Sequence, residues 1–285
     1  MPFNVMPPLV SIIIPTYNRW PLVREAIESV LAQRFRDFEL IVVDDGSTDG
    51  TVGELGSFGG SLRLVRQDRK GVAAARNSGV AVARGRYIAF LDSDDLWLSK
   101  KLAIQTAFME QNTDFEISQT EEIWLRRGVR VNRKEKHRKA SGDIFRRSLD
   151  LCLVSPSAVM MTKALFERLR GFDEAFPVCE DYDLWLRIGV ERGVALIPTA
   201  LVVKRGGHPD QLSRSMWGMD RYRIVALQKL LQTGLRGKER NWVIEVLKRK
   251  VRILCQGARK RGREEEAVNY EALLTELVRE KLNVG

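Results

Sequence analysis

Glu39-Leu40-Ile41-Val42-Val43 runs straight into Asp44-Asp45, and Arg86-Tyr87-Ile88-Ala89-Phe90-Leu91 runs straight into Asp92-Ser93-Asp94-Asp95. Short apolar runs of this kind read as strands buried on both faces of a sheet. Carboxylates cost several kcal/mol to desolvate unless they are paired, hydrogen-bonded or metal-bound. Five aspartates at the carboxyl ends of such strands therefore indicate a polar crevice, and in open α/β sheets that rim is where ligands bind. Asp92 and Asp94, one residue apart, can aim oxygens at one hard cation, whose other ligands are then phosphate and water. The residues alone thus predict a metal-dependent site for a phosphorylated ligand.

The rest of the amino-terminal half fits this frame. Val10 to Ile14 reads as a first strand ended by Pro15, and Leu22, Ala26, Ile27, Val30 and Leu31 recur with helical spacing after Pro21. A strand–helix–strand order implies a right-handed parallel crossover, which puts the Pro15 loop and Asp44-Asp45 on one edge. Leu62 to Val65 reads as an edge strand, Gly71 to Ala83 as a small-residue helix close against the sheet, and Trp97 to Met109 as a further helix. The parallel pattern ends with a hairpin of Ile123-Trp124-Leu125 against Val129-Arg130-Val131 around Arg127-Gly128.

Lys134 to Gly142 is basic and aperiodic and reads as a mobile excursion, with His137 solvated. Ser155 to Met161 then reads as a strand, Lys163 to Arg170 and Asp183 to Val190 as helices, and Ala200 to Lys204 as a small strand. From about Met216 the pattern changes to long amphipathic helices with stripes at Ile224, Leu227, Leu230, at Val243, Val246, Leu247, Val251, and at Leu273, Leu274, Leu277. The expected organisation is an α/β domain over 1–215 and a helical carboxyl-terminal extension over 216–285.

Composition narrows the function class. Lys and Arg outnumber Asp and Glu 47 to 37, a formal charge of +10 that invites a polyanionic partner: nucleic acid, an acidic membrane face or a phosphorylated substrate. Cys152, Cys179 and Cys255 are scattered without zinc or disulfide spacing, which fits a reducing compartment. No apolar run reaches membrane-span length, and no leader pattern opens the chain. The expectation is a cytoplasmic protein, with the basic tail either docked on the catalytic domain or in peripheral contact with the anionic inner face of a membrane.

At Val10-Ser11-Ile12-Ile13-Ile14-Pro15-Thr16-Tyr17-Asn18-Arg19 the chain resembles a family 2 glycosyltransferase of GT-A fold. The resemblance continues through Ile41 to Asp49, Gly71 to Gly79, Gly85 to Asp95, and Glu180-Asp181-Tyr182-Asp183-Leu184-Trp185, about three quarters of the chain. Five blocks in order are specific where each alone is weak. The fold this implies is α/β, a GT-A-like Rossmann-type sheet with helices on both faces. The implied activity is inverting transfer of a sugar from a nucleotide diphosphate donor, a UDP-sugar favoured, to a glycan or lipid-linked acceptor in cell-envelope polysaccharide synthesis.

The same resemblance implies residue roles. Pro15 and Tyr17 line the nucleoside pocket, Asp45 accepts a hydrogen bond from the base, and Asp92 and Asp94 form the D-x-D pair, with Asp92 reaching ribose or metal and Asp94 on Mg²⁺ or Mn²⁺. Arg76 belongs near the phosphates, or equally in a buried ion pair with a strand-end aspartate. Asp181 is the general base on the acceptor hydroxyl, and His208 a further metal ligand. Each has a structural alternative: Tyr17 packing on a helix, Asp45 or Asp181 capping, Asp95 capping the following helix, His208 on a surface loop.

Two other function classes fit the residues less well. Nucleotidyl transfer also uses strand-end aspartates, but calls for a glycine-rich basic loop after the first strand, which Pro15-Thr16-Tyr17-Asn18 is not. A nucleic-acid-binding module needs aromatics interleaved with basic residues on one face, whereas the aromatics here follow core periodicity, so no nucleic acid is expected.

Overall fold

The computed structural model describes residues 6–207 and 218–282. Strands β1 (Val10–Thr16), β2 (Phe38–Asp44), β3 (Arg63–Arg66) and β4 (Tyr87–Phe90) pair in parallel in the order β3-β2-β1-β4. Helices α1 (Leu22–Leu31), α2 (Thr51–Leu55) and α3 (Val72–Ala81) lie in the crossovers. Successive side chains of a strand point to opposite faces. Ile13, Ile41 and Val43 accordingly pack with Ala73, Ala75 and Val80 of α3, while Ile12, Ile14, Leu40 and Val42 pack with Val23, Ala26 and Ile27 of α1. Both faces are covered, which is why these strands read as unbroken apolar runs.

Small residues set how closely α3 approaches. A Cβ on Gly79 would lie 2.5 Å from Ile13 Cγ2, so glycine is what lets the helix sit on β1. Pro15 does not end β1, contrary to expectation; the strand continues to Thr16. Leu91 N–H donates to Ile13 O, so the odd-numbered residues of β1 turn their backbone groups toward β4. Pro15 follows on that side where β4 has already stopped at Phe90, and its missing N–H costs the ladder nothing.

Beyond β4 the sheet becomes mixed. It continues through β8 (Val159–Thr162), β6 (Ile117–Arg126), β9 (Ala195–Gly206) and β5 (Leu96–Trp97), with β7 (Val129–Val131) paired to β6. β4–β8, β8–β6, β9–β5 and β6–β7 pair antiparallel, whereas β6–β9 pair in parallel. Arg127 (φ 51°) and Gly128 (φ 79°) make the expected two-residue hairpin turn. Helix α4 (Lys101–Gln111) begins four residues later than its spacing suggested, because Leu96 and Trp97 pair with Val203 and Val202 of β9. Likewise β8 starts only at Val159, after a short turn at Pro156–Ala158. β9 is far longer than the run Ala200 to Lys204; its register against β6 jumps from Ile197 to Ala200, so the bulge absorbs Pro198.

The basic stretch after the hairpin is partly tied in, against its reading as a mobile excursion. Lys139 is 7% exposed, sits 3.0 Å from Glu122 Oε1 and donates to Thr120 O at 2.9 Å, while Gly142 bridges to Val194. His137 packs against Trp124 with the rings tilted 53° and their centroids 5.7 Å apart, rather than standing free in solvent.

Helices α5 (Phe145–Ser148), α6 (Lys163–Arg168) and α7 (Glu180–Glu191) precede the carboxyl-terminal helices α8 (Met219–Leu231), α9 (Gly237–Lys260) and α10 (Glu264–Leu282). α7 is shared between two cores. Leu184, Trp185 and Ile188 face the sheet, whereas Tyr182 and Leu186 pack with Ile224, Leu227, Val243 and Leu247. Among the described residues no helix is long and apolar enough to cross a membrane.

Candidate active site

The parallel pairing brings the carboxyl ends of β1, β2 and β4 to one edge of the sheet. The loop after β1 is fastened to the loop after β2: Asn18 N–H donates to Ser47 Oγ at 2.9 Å, and Thr48 N–H donates to Asn18 Oδ1 at 2.7 Å. The next residue, Arg19, reaches the end of β4, where its Nη1 lies 3.1 Å from Asp94 Oδ2. Asp45 fastens the third loop. Its Oδ1 accepts from Gln67 Nε2 at 2.7 Å and Lys70 N at 2.8 Å, and its Oδ2 accepts from Gly71 N at 2.9 Å, the residue that opens α3. A carboxylate offers about four lone-pair sites, so roughly one remains for a ligand.

Tyr17 is half-buried, and the Arg69 guanidinium lies over its ring, 3.8 Å from the centroid. Pro15 is buried within β1 beside it. Asp44, given no role in the sequence reading, has an oxygen that stands out. Oδ2 accepts from Ser47 N, but Oδ1 is buried with no hydrogen-bond partner, as is Oγ1 of Thr16, its register partner on β1. Trp185 Nε1 and Ser148 Oγ are buried without a partner elsewhere in the chain, so the two atoms are open to a ligand's hydrogen bond without by themselves marking one.

Arg76 organises the centre. It is 3% exposed, with Nη2 2.7 Å from Asp92 Oδ1 and Nη1 2.6 Å from Glu180 Oε1. Of the two positions open to it in the sequence, the buried ion pair is the one it adopts, and its guanidinium is engaged by carboxylates rather than open to a phosphate. Burial opposes its charge, and Asp92 and Glu180 more than offset that, holding it above the ordinary arginine value. Burial likewise pushes Asp92 up, but Arg76 and Lys204 prevail and hold it below the usual carboxylate range. Glu180 goes the other way: burial raises it to about 7 despite Arg76, with Asp181 adding to the rise.

Asp95 does not cap a helix, as expected of it. Its Oδ1 accepts from Arg205 N at 2.8 Å and its Oδ2 from Ser157 Oγ at 2.6 Å, with Lys204 Nζ at 3.5 Å, so it ties β9 to the β4 end. Burial raises it to about 7 against the pull of Lys204. Lys204 is pushed down by burial and lifted further by Asp95, Glu122 and Asp92, so it stays charged above its ordinary value. Arg205 Nε also donates to Asp94 O. The matching cations Arg19, Lys204 and Arg205 had no assigned role, although acids on buried strand ends require such partners.

Asp181 is the second residue of α7, where a carboxylate suits the helix dipole. It does not occupy the N-cap position, which belongs to Cys179. Its Oδ1 accepts from Tyr182 N at 2.7 Å, and the Cys152 thiol lies 3.3 Å from Oδ2. Burial, then Asp181, pushes that thiol well above its usual value, so it stays protonated and can donate. Because Arg76 joins Asp92 to Glu180, the end of β4 and the start of α7 meet at one point. Asp94 and Asp181 follow within two residues of that bridge.

A divalent ion fits this edge in a limited way. No group of three His, Cys, Asp or Glu able to hold a metal occurs among the described residues. Asp94, however, is 17% exposed in its side chain, and only Oδ2 is taken, by Arg19. One carboxylate suffices where a diphosphate and water complete the shell. His208 lies outside the described residues.

The mixed sheet with helices on both faces and an acidic switch from β4 into β5 defines the GT-A class of nucleotide-sugar folds. The chain belongs to glycosyl transferase family 2, whose model matches residues 11–170. It is 39% identical over 201 residues to an uncharacterized glycosyltransferase of Rickettsia felis, a match covering 67% of this chain but 32% of that protein. The chain thus spans about a third of the length of the first of its curated relatives. It is 33% identical over 199 residues to the Escherichia coli UDP-Glc:alpha-D-GlcNAc-diphosphoundecaprenol beta-1,3-glucosyltransferase WfgD, covering 69% of this chain and 76% of that one. Among solved structures, Staphylococcus aureus TarS 1-349 in complex with UDP-GlcNAc superposes with a TM-score of 0.64 at 18% identity, covering 97% of this chain and 92% of that one. That likeness bears on the fold.

Proposed function

We propose that this chain is a glycosyltransferase that moves a sugar from a nucleoside diphosphate donor, a UDP-sugar by preference, to a hydroxyl of a glycan or lipid-linked acceptor, with inversion. The observation that carries the reading is the Asp92–Arg76–Glu180 bridge, which holds the β4 acids and Asp181 around one edge. Asp181 takes the acceptor proton as its oxygen attacks the anomeric carbon; the bond from that carbon to the diphosphate breaks, and the nucleoside diphosphate leaves. Pro15, Tyr17 and Asp45 hold the nucleoside, and Asp92 lies toward the ribose. Asp94, with His208, holds a Mg²⁺ or Mn²⁺ ion, which when bound supplies positive charge to the departing diphosphate. WfgD, by its name, uses UDP-Glc and a diphosphoundecaprenol-linked sugar, which supports the UDP preference and the lipid-linked acceptor. A mannosyltransferase of Pyrobaculum calidifontis, similar in fold, was solved with GDP-Man and Mn²⁺, which is compatible with the ion.

The test pairs a thermal-shift panel of UDP-, GDP- and dTDP-sugars, with and without Mn²⁺, with turnover of Asp94→Asn and Asp181→Asn. A selective, metal-dependent stabilisation and a loss of transfer of at least a hundredfold in both variants are expected, with melting within a few degrees of the parent. Undiminished transfer in either variant removes that residue from the mechanism.

A further inference from the structure

The β6–β7 hairpin carries a concentration of charge that the catalytic reading does not use. Arg126, Arg127 and Arg130 are exposed, and so are Lys134 and Lys136 in the segment that His137 joins to the hairpin through its tilted ring contact with Trp124. None of these five side chains has a carboxylate partner among the described residues, in contrast to Arg133, which pairs with Glu121, and Arg138, which pairs with Glu135. Beside them stands Val129, 66% exposed, the first residue after the turn, on the same face as Arg126, its pairing partner.

The hairpin is also joined to the candidate site's edge. Leu125 pairs with Arg205, whose backbone is held by Asp95, and Arg127 N–H donates to Gly206 O. The hairpin therefore leaves the sheet where β9 reaches the β4 acids.

We propose that this hairpin tip is a docking surface for an anionic phospholipid bilayer, with Val129 beside the turn in the interfacial layer and the arginines and lysines on the headgroup phosphates. The shape decides the occupant. A single phosphate calls for a concave nest of donors, whereas every residue from 126 to 131 here is exposed on a projecting turn. A hollow along the stem of the hairpin is lined by Glu121 and Glu122 as well as Arg130 and Arg133, and Glu121 already takes Arg133 as its partner, so it offers no cluster of unpaired donors to one phosphate. A nucleic acid is a poorer fit, because the tip offers an aliphatic side chain and no free aromatic face for stacking. Docking here would bring the catalytic edge against the membrane, where a lipid-linked acceptor resides. That last clause rests on the proposed function; the binding itself does not.

The experiment is co-sedimentation of the full chain with vesicles of phosphatidylcholine alone and with a third phosphatidylglycerol, at low and at physiological salt. Each basic residue near an anionic surface contributes a few-fold in affinity, so Arg126→Ser, Arg127→Asn and Arg130→Ser together are expected to weaken binding to the anionic vesicles on the order of a hundredfold. Asn-Gly is chosen at the turn because asparagine tolerates the positive φ of Arg127. Val129→Asp, which leaves every arginine in place, is expected to weaken binding separately. Arg252→Ser with Lys260→Ser, on the exposed side of α9, is expected to leave it unchanged. Sedimentation of the triple variant like the parent, loss of binding only in the α9 variant, or equal binding to neutral vesicles would each overturn the proposal. So would a gel shift with RNA that is as tight as vesicle binding and abolished by the same three substitutions. Transfer to a soluble acceptor analogue, read in parallel, separates the two proposals: vesicle binding without turnover sinks the enzymatic reading and leaves this one standing.

Discussion

Replacing Arg76 by methionine removes the cation that bridges Asp92 and Glu180 and leaves their carboxylates facing each other across an apolar gap. Taking one partner from a buried ion network costs roughly 3–5 kcal/mol, because the remaining charge is neither solvated nor paired. Glu180 is almost wholly enclosed, but the Asp92 side chain is 24% exposed and recovers part of its hydration. The expected loss is therefore at the lower end, about 3 kcal/mol, which for a chain of this size lowers Tm by roughly 6–12 °C. The deficit depends on pH with a definite sign. Without Arg76 both carboxylates titrate above their unfolded values, so the penalty is full at pH 8 and shrinks as they take up protons toward pH 4. Adding Glu180→Gln to Arg76→Met removes one of the two stranded charges and should restore at least a third of the loss. Urea unfolding followed by tryptophan fluorescence at pH 8 and pH 5 reads all of this. An Arg76→Met protein as stable as the parent at pH 8, or a deficit that grows on acidification, would refute the reasoning.

Gly79→Ala places a Cβ 2.5 Å from Ile13 Cγ2 and should destabilise the fold by about 1–3 kcal/mol through overpacking, measured by the urea midpoint; an unchanged midpoint would mean α3 can lift from β1 at no cost. Glu180, raised to about 7 in the folded chain, contributes stability that is present below its unfolded value of 4.5 and is lost as pH rises through 7. Glu180→Gln should therefore flatten the stability profile between about pH 4.5 and 7, and equal slopes in parent and variant would show that the carboxylate is ionised throughout.

How much of this was legible in the sequence follows from the range of the forces involved. The parallel half was readable because α1 and α3 cover opposite faces of the same strands, so burial writes itself as runs such as Ile12-Ile13-Ile14 and Leu40-Ile41-Val42-Val43. The carboxylates at the strand ends stood out for the same reason, as charges in places where apolar side chains are the rule. The hairpin at Arg127-Gly128 was equally local, a matter of two positive φ angles. The later strands were not: β5 exists only because β9 offers it a ladder, and β9 continues through Pro198 only because β6 lets it bulge.

By itself, the sequence determined the order of strands and helices through β4, the edge on which the acids collect, and the family blocks at Val10 to Arg19 and Gly85 to Asp95. Local burial and backbone geometry are written residue by residue. Only the tertiary structure decided which cation meets which carboxylate: Arg76 between Asp92 and Glu180, 16 and 104 positions away, Arg19 on Asp94 and the Arg205 backbone on Asp95. An ion pair depends on separation in space, to which spacing along the chain is indifferent, and desolvation in the closed fold then fixes which of these acids keeps its proton near neutrality.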